Sequence, residues 1–167
     1  MVSRSRQALV DALARHDRLL EVGIGDRPGV ARSLAERGRE VVAIDVAVGE
    51  RTRAAASEID ATTVAGSLRA VEADVLDLAE STGAVVESEP VGARGDFDAV
   101  YACNLPAELQ RPTVALADRF DAACLFTTLG FEEPTVPVRR RSLTGTTVYV
   151  ARGDPPGSDA SGPDRRR

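Results

Sequence analysis

Short apolar runs alternate with longer amphipathic stretches along most of this chain. Leu19, Leu20 and Val22 make the first run and Val41-Val-Ala-Ile44 the second, and each reads as a buried strand. Between them Val30, Ala31, Leu34 and Ala35 recur at helical spacing and stop at Gly38, a C-terminal signal. Ahead of the first strand, Ser3 to His16 is an amphipathic helix with Leu9, Val10, Leu13 and Ala14 on one face. Thr52 to Glu58 is predicted to be helical. Leu68 to Val75 reads as a third strand, with a helix over Leu68 to Leu78 as an open alternative. Gly83 to Gly95 is polar and reads as loop. Phe97 to Cys103 is the fourth strand, Pro106 opens a helix carrying Leu109, Val114, Leu116 and Ala117, and Ala122 to Leu129 is the fifth. Val136 to Leu143 and Thr146 to Ala151, joined at Thr144-Gly145, predict a β-hairpin.

Alternating strands and helices of this kind predict an α/β, Rossmann-like fold. Its sheet is mostly parallel, with helices on both faces and a C-terminal antiparallel hairpin at one edge. Residues 1–152 are expected to form one domain, and the Gly-, Pro-, Ser- and Asp-rich stretch 153–167 a disordered tail.

Composition narrows the picture. All 21 basic residues are Arg, against 26 acids, for a net charge of −5, which suggests a GC-rich genome and a salt-adapted cytosol. A net acidic chain is a poor general ligand for phosphate backbones, so nucleic acid is not indicated as a partner, and Arg139-Arg-Arg141 reads as a solvated strand. No apolar run approaches the ~20 residues that span a bilayer, so a cytoplasmic protein without a membrane partner is expected. Cys103 and Cys124 fall in apolar strands and are expected to be reduced and buried. No Cys/His cluster has zinc spacing, and the single histidine, His16, is expected to close the first helix.

The chemistry concentrates after the first strand. Glu21-Val-Gly-Ile-Gly25 places two glycines where a tight strand-to-helix turn needs unusual backbone angles and a ligand must approach bare backbone. Asp45 closes the second strand twenty residues after Gly25, the interval at which a β-α-β nucleotide site sets an acid against ribose hydroxyls. As a strand-end carboxylate, Asp45 is expected to add little to folding.

With these residues in place, the chain resembles the class I S-adenosylmethionine-dependent methyltransferase fold. More closely, it resembles an uncharacterised archaeal family of small methyltransferase-like Rossmann proteins. That likeness rests on Glu21 to Pro28, Val41 to Asp45, and Tyr101 followed by Pro106-Ala-Glu108-Leu109-Gln110. It implies S-adenosylmethionine as cofactor, held by Glu21, Gly23, Gly25, Asp45, Asp74 and Asn104. Glu21 to Gly25 would lie under the methionine portion, Asp45 on the ribose, Asp74 near the adenine edge, and Asn104 where methyl group and acceptor meet.

Two departures stand out. Arg27 occupies the position of the usual third glycine, and Asn104-Leu-Pro-Ala107 lacks the second proline and aromatic residue of amino-methylating enzymes. The resemblance names no methyl acceptor and no catalytic group; Glu108 and Asp96 are the candidate bases for an acceptor that needs one. Two other readings stay open: a nicotinamide site selected for NAD by Asp45, and a non-catalytic adaptor that keeps the fold.

Overall fold

A computed structural model describes residues 2–62, 64–80, 91–92 and 94–154. Ser3 starts the first helix by accepting the Arg6 amide with its side chain, and α1 (Arg4–Leu13) buries Leu9, Val10, Ala12 and Leu13. The chain continues through β1 (Arg18–Val22), α2 (Gly29–Glu36), β2 (Glu40–Asp45), α3 (Glu50–Asp60), β3 (Ser67–Glu72) and α4 (Val75–Glu80). It ends with β4 (Ala99–Ala102), α5 (Ala107–Phe120), β5 (Ala123–Phe126), β6 (Arg139–Leu143) and β7 (Thr146–Arg152).

The seven strands make one sheet in the order β3-β2-β1-β4-β5-β7-β6. Strands β1 to β5 are parallel, and β7 runs antiparallel to both of its neighbours. Side chains alternate across the sheet. Leu19, Val41, Ala43 and Tyr101 pack under α1, α2 and α3, while Leu20, Val22, Ile44 and Val100 pack under α4 and α5. Burial on both faces is why these strands read as continuous apolar runs.

Three segments differ from expectation in instructive ways. Both readings of Leu68 to Leu78 are realised in succession: a strand to Glu72, then a helix from Val75. Asp74 marks the break, its Oδ1 accepting the Leu76 amide at 2.9 Å and its carbonyl the Leu78 amide at 3.0 Å. The hairpin forms at Gly145, but its first strand starts at Arg139 and its second inserts beside β5, leaving β6 at the edge. Charge dictates that order, since the Arg139-Arg-Arg141 strand is exposed and β7 carries the buried Val148 and Tyr149. Finally, α1 ends at Leu13, and His16 closes the turn through its backbone amide, which donates to the Leu13 carbonyl.

The His16 side chain is buried 3.7 Å from Asp154, which also pairs with Arg15. Gly153 and Asp154 are thus among the described residues, whereas the rest of the expected tail lies outside them. So does most of the expected Gly83–Gly95 loop. Among the described residues, no helix is long and apolar enough to cross a membrane.

Candidate functional site

The site is built where β1 and β2 end. Gly23 and Gly25 turn the chain with φ of 79° and 52°, the left-handed region that side-chain-bearing residues rarely adopt. Amides of Gly23 and Ile24 both donate to the Ile44 carbonyl, at 2.9 and 3.2 Å, which laces the turn to β2. The Gly25 residue is held from both sides. Its N–H donates to Asp45 Oδ2 at 2.7 Å, and its carbonyl accepts from the Gly49 amide at 3.0 Å and the Thr52 hydroxyl at 2.8 Å. A Cβ on Gly23 would meet nothing within 4 Å, so backbone angle rather than crowding demands glycine, and the exposed peptide faces open space.

Asp45 therefore does more than end a strand. Besides Gly25 it accepts the Ala47 amide on Oδ1 at 3.2 Å. The expectation that Asp45 adds little to folding is corrected: it pins the glycine turn. A carboxylate has about four acceptor positions, so two remain for a ligand's hydroxyls.

Glu21 sits on the sheet face covered by α1, α2 and α3, opposite Tyr101 in the β1–β4 ladder, with Cys103 two residues further along the same face. It is only 2% exposed. The Cys103 thiol donates to Oε1 at 3.9 Å; Oε2 and the neighbouring Tyr101 hydroxyl, both buried, have no hydrogen-bond partner within ordinary distance. Burial pushes the Glu21 carboxyl up to about 8; the Tyr101 hydroxyl and Cys103 thiol pull it down, and the Asp45 charge adds to the rise. Glu21 is thus largely protonated at neutral pH. A buried polar atom without a partner costs about 1–3 kcal/mol, which makes Oε2 a place where a ligand's polar group would be stabilised.

Five of the six sequence candidates, Glu21, Gly23, Gly25, Asp45 and Asn104, line one cavity of about 300 Å³. That is the lower end of the ~300–1,000 Å³ range of small-molecule sites. Asn104 adopts φ 54° just past β4, fixed by its amide donating to the Thr127 hydroxyl at 2.8 Å. Asp74 lies beyond this lining, after β3, where its carboxylate caps α4. Glu108 is in the first turn of α5 and lines neither this cavity nor the one adjoining it; Asp96 precedes β4, at the opposite end of the sheet. Neither is positioned as a base there.

Cys124 is fully buried and free as expected, and Tyr101 is a core residue. Cys103 is free but only half-buried; it falls one residue past β4 and lines the cavity, because the turn at Asn104 stops the strand early. Sequence reasoning missed Thr52 and Asp26. The signal for Thr52 was a hydroxyl on the apolar stripe it shares with Ala55 and Ile59. Asp26 gave none: its Oδ1 accepts the Arg51 amide at 2.7 Å and so ties the turn to α3. A separate cavity of about 650 Å³, lined by Arg18, Glu40, Asp60, Asp96 and Phe97 among others, contains none of the six cofactor-binding candidates.

Residues 5–153 match the family described as Uncharacterised protein family (UPF0146). The chain belongs to this family. Two UPF0146 proteins of Halobacterium salinarum, from strains R1 and NRC-1, are each 43% identical over 141 residues, covering 84% of this chain and 91% of theirs. The fold is similar to that of an RNA methyltransferase from Salinibacter ruber in complex with S-adenosyl-L-homocysteine. There the TM-score is 0.55 and the identity 18%, with 94% of this chain and 97% of that one covered. It is also similar to PigF with SAH, at TM-score 0.54 and 8% identity, covering 89% of this chain but only 60% of that longer one. The fold is thus that of S-adenosylmethionine methyltransferases, as the resemblance implied, in a family with halophilic archaeal members.

Proposed function

We propose that this protein binds S-adenosylmethionine at the carboxyl ends of β1 and β2 and transfers its methyl group to a small acceptor. The observation that carries this reading is the pairing of a pinned glycine turn with an unpartnered, buried Glu21 Oε2 on the wall of the same cavity. Two structural neighbours bound to S-adenosylhomocysteine support it.

The residues present fit the ligand's parts. Asp45 keeps two acceptor positions for the ribose hydroxyls. The bare backbone at Gly23 lets the methionine portion approach. Glu21 offers a carboxyl to the amino group, and the positive charge of that amine would hold the carboxyl ionised. Asn104, in the lining of the same cavity, would orient the acceptor.

S-adenosylmethionine, when bound, would supply an electrophilic methyl group on a sulfonium whose sulfur keeps the electron pair of the C–S bond when the methyl leaves for the acceptor's lone pair. The protein's task is alignment and exclusion of water, and alignment alone accounts for up to ~7–11 kcal/mol of a barrier. Of the cavity's three carboxyl groups, Asp26 and Asp45 accept backbone amides and Glu21 is assigned to the cofactor's amine. An acceptor already carrying a free lone pair therefore suits this site.

The test is a calorimetric titration with S-adenosylmethionine, S-adenosylhomocysteine, NAD and NADP in high salt. Micromolar binding of the first two alone supports the reading. Preference for NAD would replace it with a nicotinamide site, and no binding of any at millimolar ligand would leave the adaptor reading.

A further inference from the structure

A second cavity, of about 540 Å³, adjoins the first and shares Asp26, Arg27, Cys103 and Asn104 with it as a common wall. Three arginines from three different elements surround it: Arg6 from α1, Arg27 from the glycine turn and Arg51 from the first turn of α3. The one acid in its lining is Asp26, whose carboxylate is engaged by the Arg51 amide and lies 3.8 Å from the Arg51 Nε. Arg6 and Arg27 have no ion-pair or hydrogen-bond partner for their guanidinium groups among the described residues.

Arg6 is nonetheless placed. Its guanidinium lies over Gly29, so closely that a Cβ there would stand 2.9 Å from Nη1 and 3.0 Å from Cζ. Glycine at this position makes room for the charge. The local balance is three cations to one anion, in a protein whose net charge is −5. Polar groups of Ser5, Asn104 and Thr127 complete the lining without adding charge.

We infer that this second cavity holds the methyl acceptor, and that the acceptor is a small anion, carrying a carboxylate or phosphate that the guanidinium groups of Arg6 and Arg51 engage. The inference rests on the proposed cofactor site, since the shared wall at Asn104 and Cys103 is what would bring acceptor and methyl group together. Arginine forks match planar carboxylate and phosphate oxygens, and such contacts survive in high salt, where long-range attraction does not. The cofactor's single carboxylate needs only one such partner, and Arg27, common to both cavities, is available for it. Arg6 and Arg51 line only the second.

The experiment loads the wild type and the double variant Arg6→Gln/Arg51→Gln with S-adenosylhomocysteine. Each is then titrated calorimetrically with malonate, with inorganic phosphate and with neutral malonamide in low-chloride buffer. The wild type should bind malonate or phosphate but not malonamide, and which anion wins identifies the anionic group. The double variant should bind that anion about tenfold more weakly or worse, with its affinity for S-adenosylhomocysteine within about twofold of wild type. Both side chains are exposed, so urea unfolding curves of the two proteins should coincide.

Equal anion binding by both proteins, or none by the wild type, would overturn the inference. So would a tenfold loss of S-adenosylhomocysteine affinity in the double variant, which would assign the arginines to the cofactor. Arginine-dependent anion binding in a wild type that fails to bind S-adenosylhomocysteine would keep the anion cavity and remove the methyltransferase reading.

Discussion

Replacing Glu21 with Gln should change how stability depends on pH. The carboxyl ionises near 4.5 in the unfolded chain and near 8 in the folded protein, where burial opposes its charge. Below pH 4.5 both states hold the proton, and Glu21 has no effect on the balance. Between those two values the unfolded chain has lost the proton and the folded protein keeps it, so rising pH favours unfolding by about 1.4 kcal/mol per unit. Above pH 8 both are ionised and the loss is complete.

Across the whole window the loss is on the order of 5 kcal/mol, comparable to the ~5–15 kcal/mol total stability of a domain. Gln fills the space of the protonated acid and never ionises. His16, whose burial lowers its pKa, works in the opposite sense just below pH 6.5, but it is present in both proteins and cancels in the difference. Urea unfolding of wild type and Glu21→Gln at fixed KCl, from pH 5 to pH 8, measures that difference directly. The variant should gain about 4 kcal/mol relative to wild type over these three units. A difference that stays constant across the range would refute a buried, protonated Glu21.

Other predictions follow from the same geometry. Asp45→Ala leaves the Gly25 amide without its carboxylate and should lose about 1.5–3 kcal/mol in urea unfolding, while Asp45→Asn, which keeps an acceptor, should lose less. Gly66→Ala should be among the most damaging small substitutions, because the new Cβ would stand 1.9 Å from the Ala35 carbonyl oxygen and 2.7 Å from that of Arg39. A loss of about 3 kcal/mol or failure to fold is expected, read by thermal unfolding. Binding of S-adenosylhomocysteine at pH 7 should release protons as its amine draws Glu21 into the ionised form, seen as calorimetric enthalpies that differ between phosphate and Tris buffers; identical enthalpies would separate Glu21 from the ligand.

Much of this was legible in the sequence, for a physical reason. Strands buried on both faces must be apolar throughout, so Leu19 to Val22 and Val41 to Ile44 announced themselves, and glycine is the residue that most readily adopts the left-handed angles found at positions 23 and 25. Spacing then put Asp45 beside the turn. What spacing does not reveal is which acceptors the backbone already uses: the bonds from Gly25 and Ala47 to Asp45 depend on the loop's three-dimensional path. Helix and strand were ambiguous at Leu68 to Leu78 because a short strand and a short helix meet there with only the Asp74 cap between them. The second cavity was hidden for a different reason. Arg6, Arg27 and Arg51 are far apart in the chain, and only the stacking of α1 on the turn at Gly29 brings their charges to one hollow.

The most direct test of the central claim is to map S-adenosylhomocysteine onto the isotope-labelled protein by amide chemical shifts. Saturating ligand should move the amides of Gly23, Gly25 and Asn104, which line the cavity at the ends of β1 and β4, and that of Ala47, which donates to Asp45, and leave those of Arg18, Glu40 and Asp60 in place. Shifts confined to the larger cavity around Arg18 and Glu40, or no shifts at millimolar ligand, would contradict it.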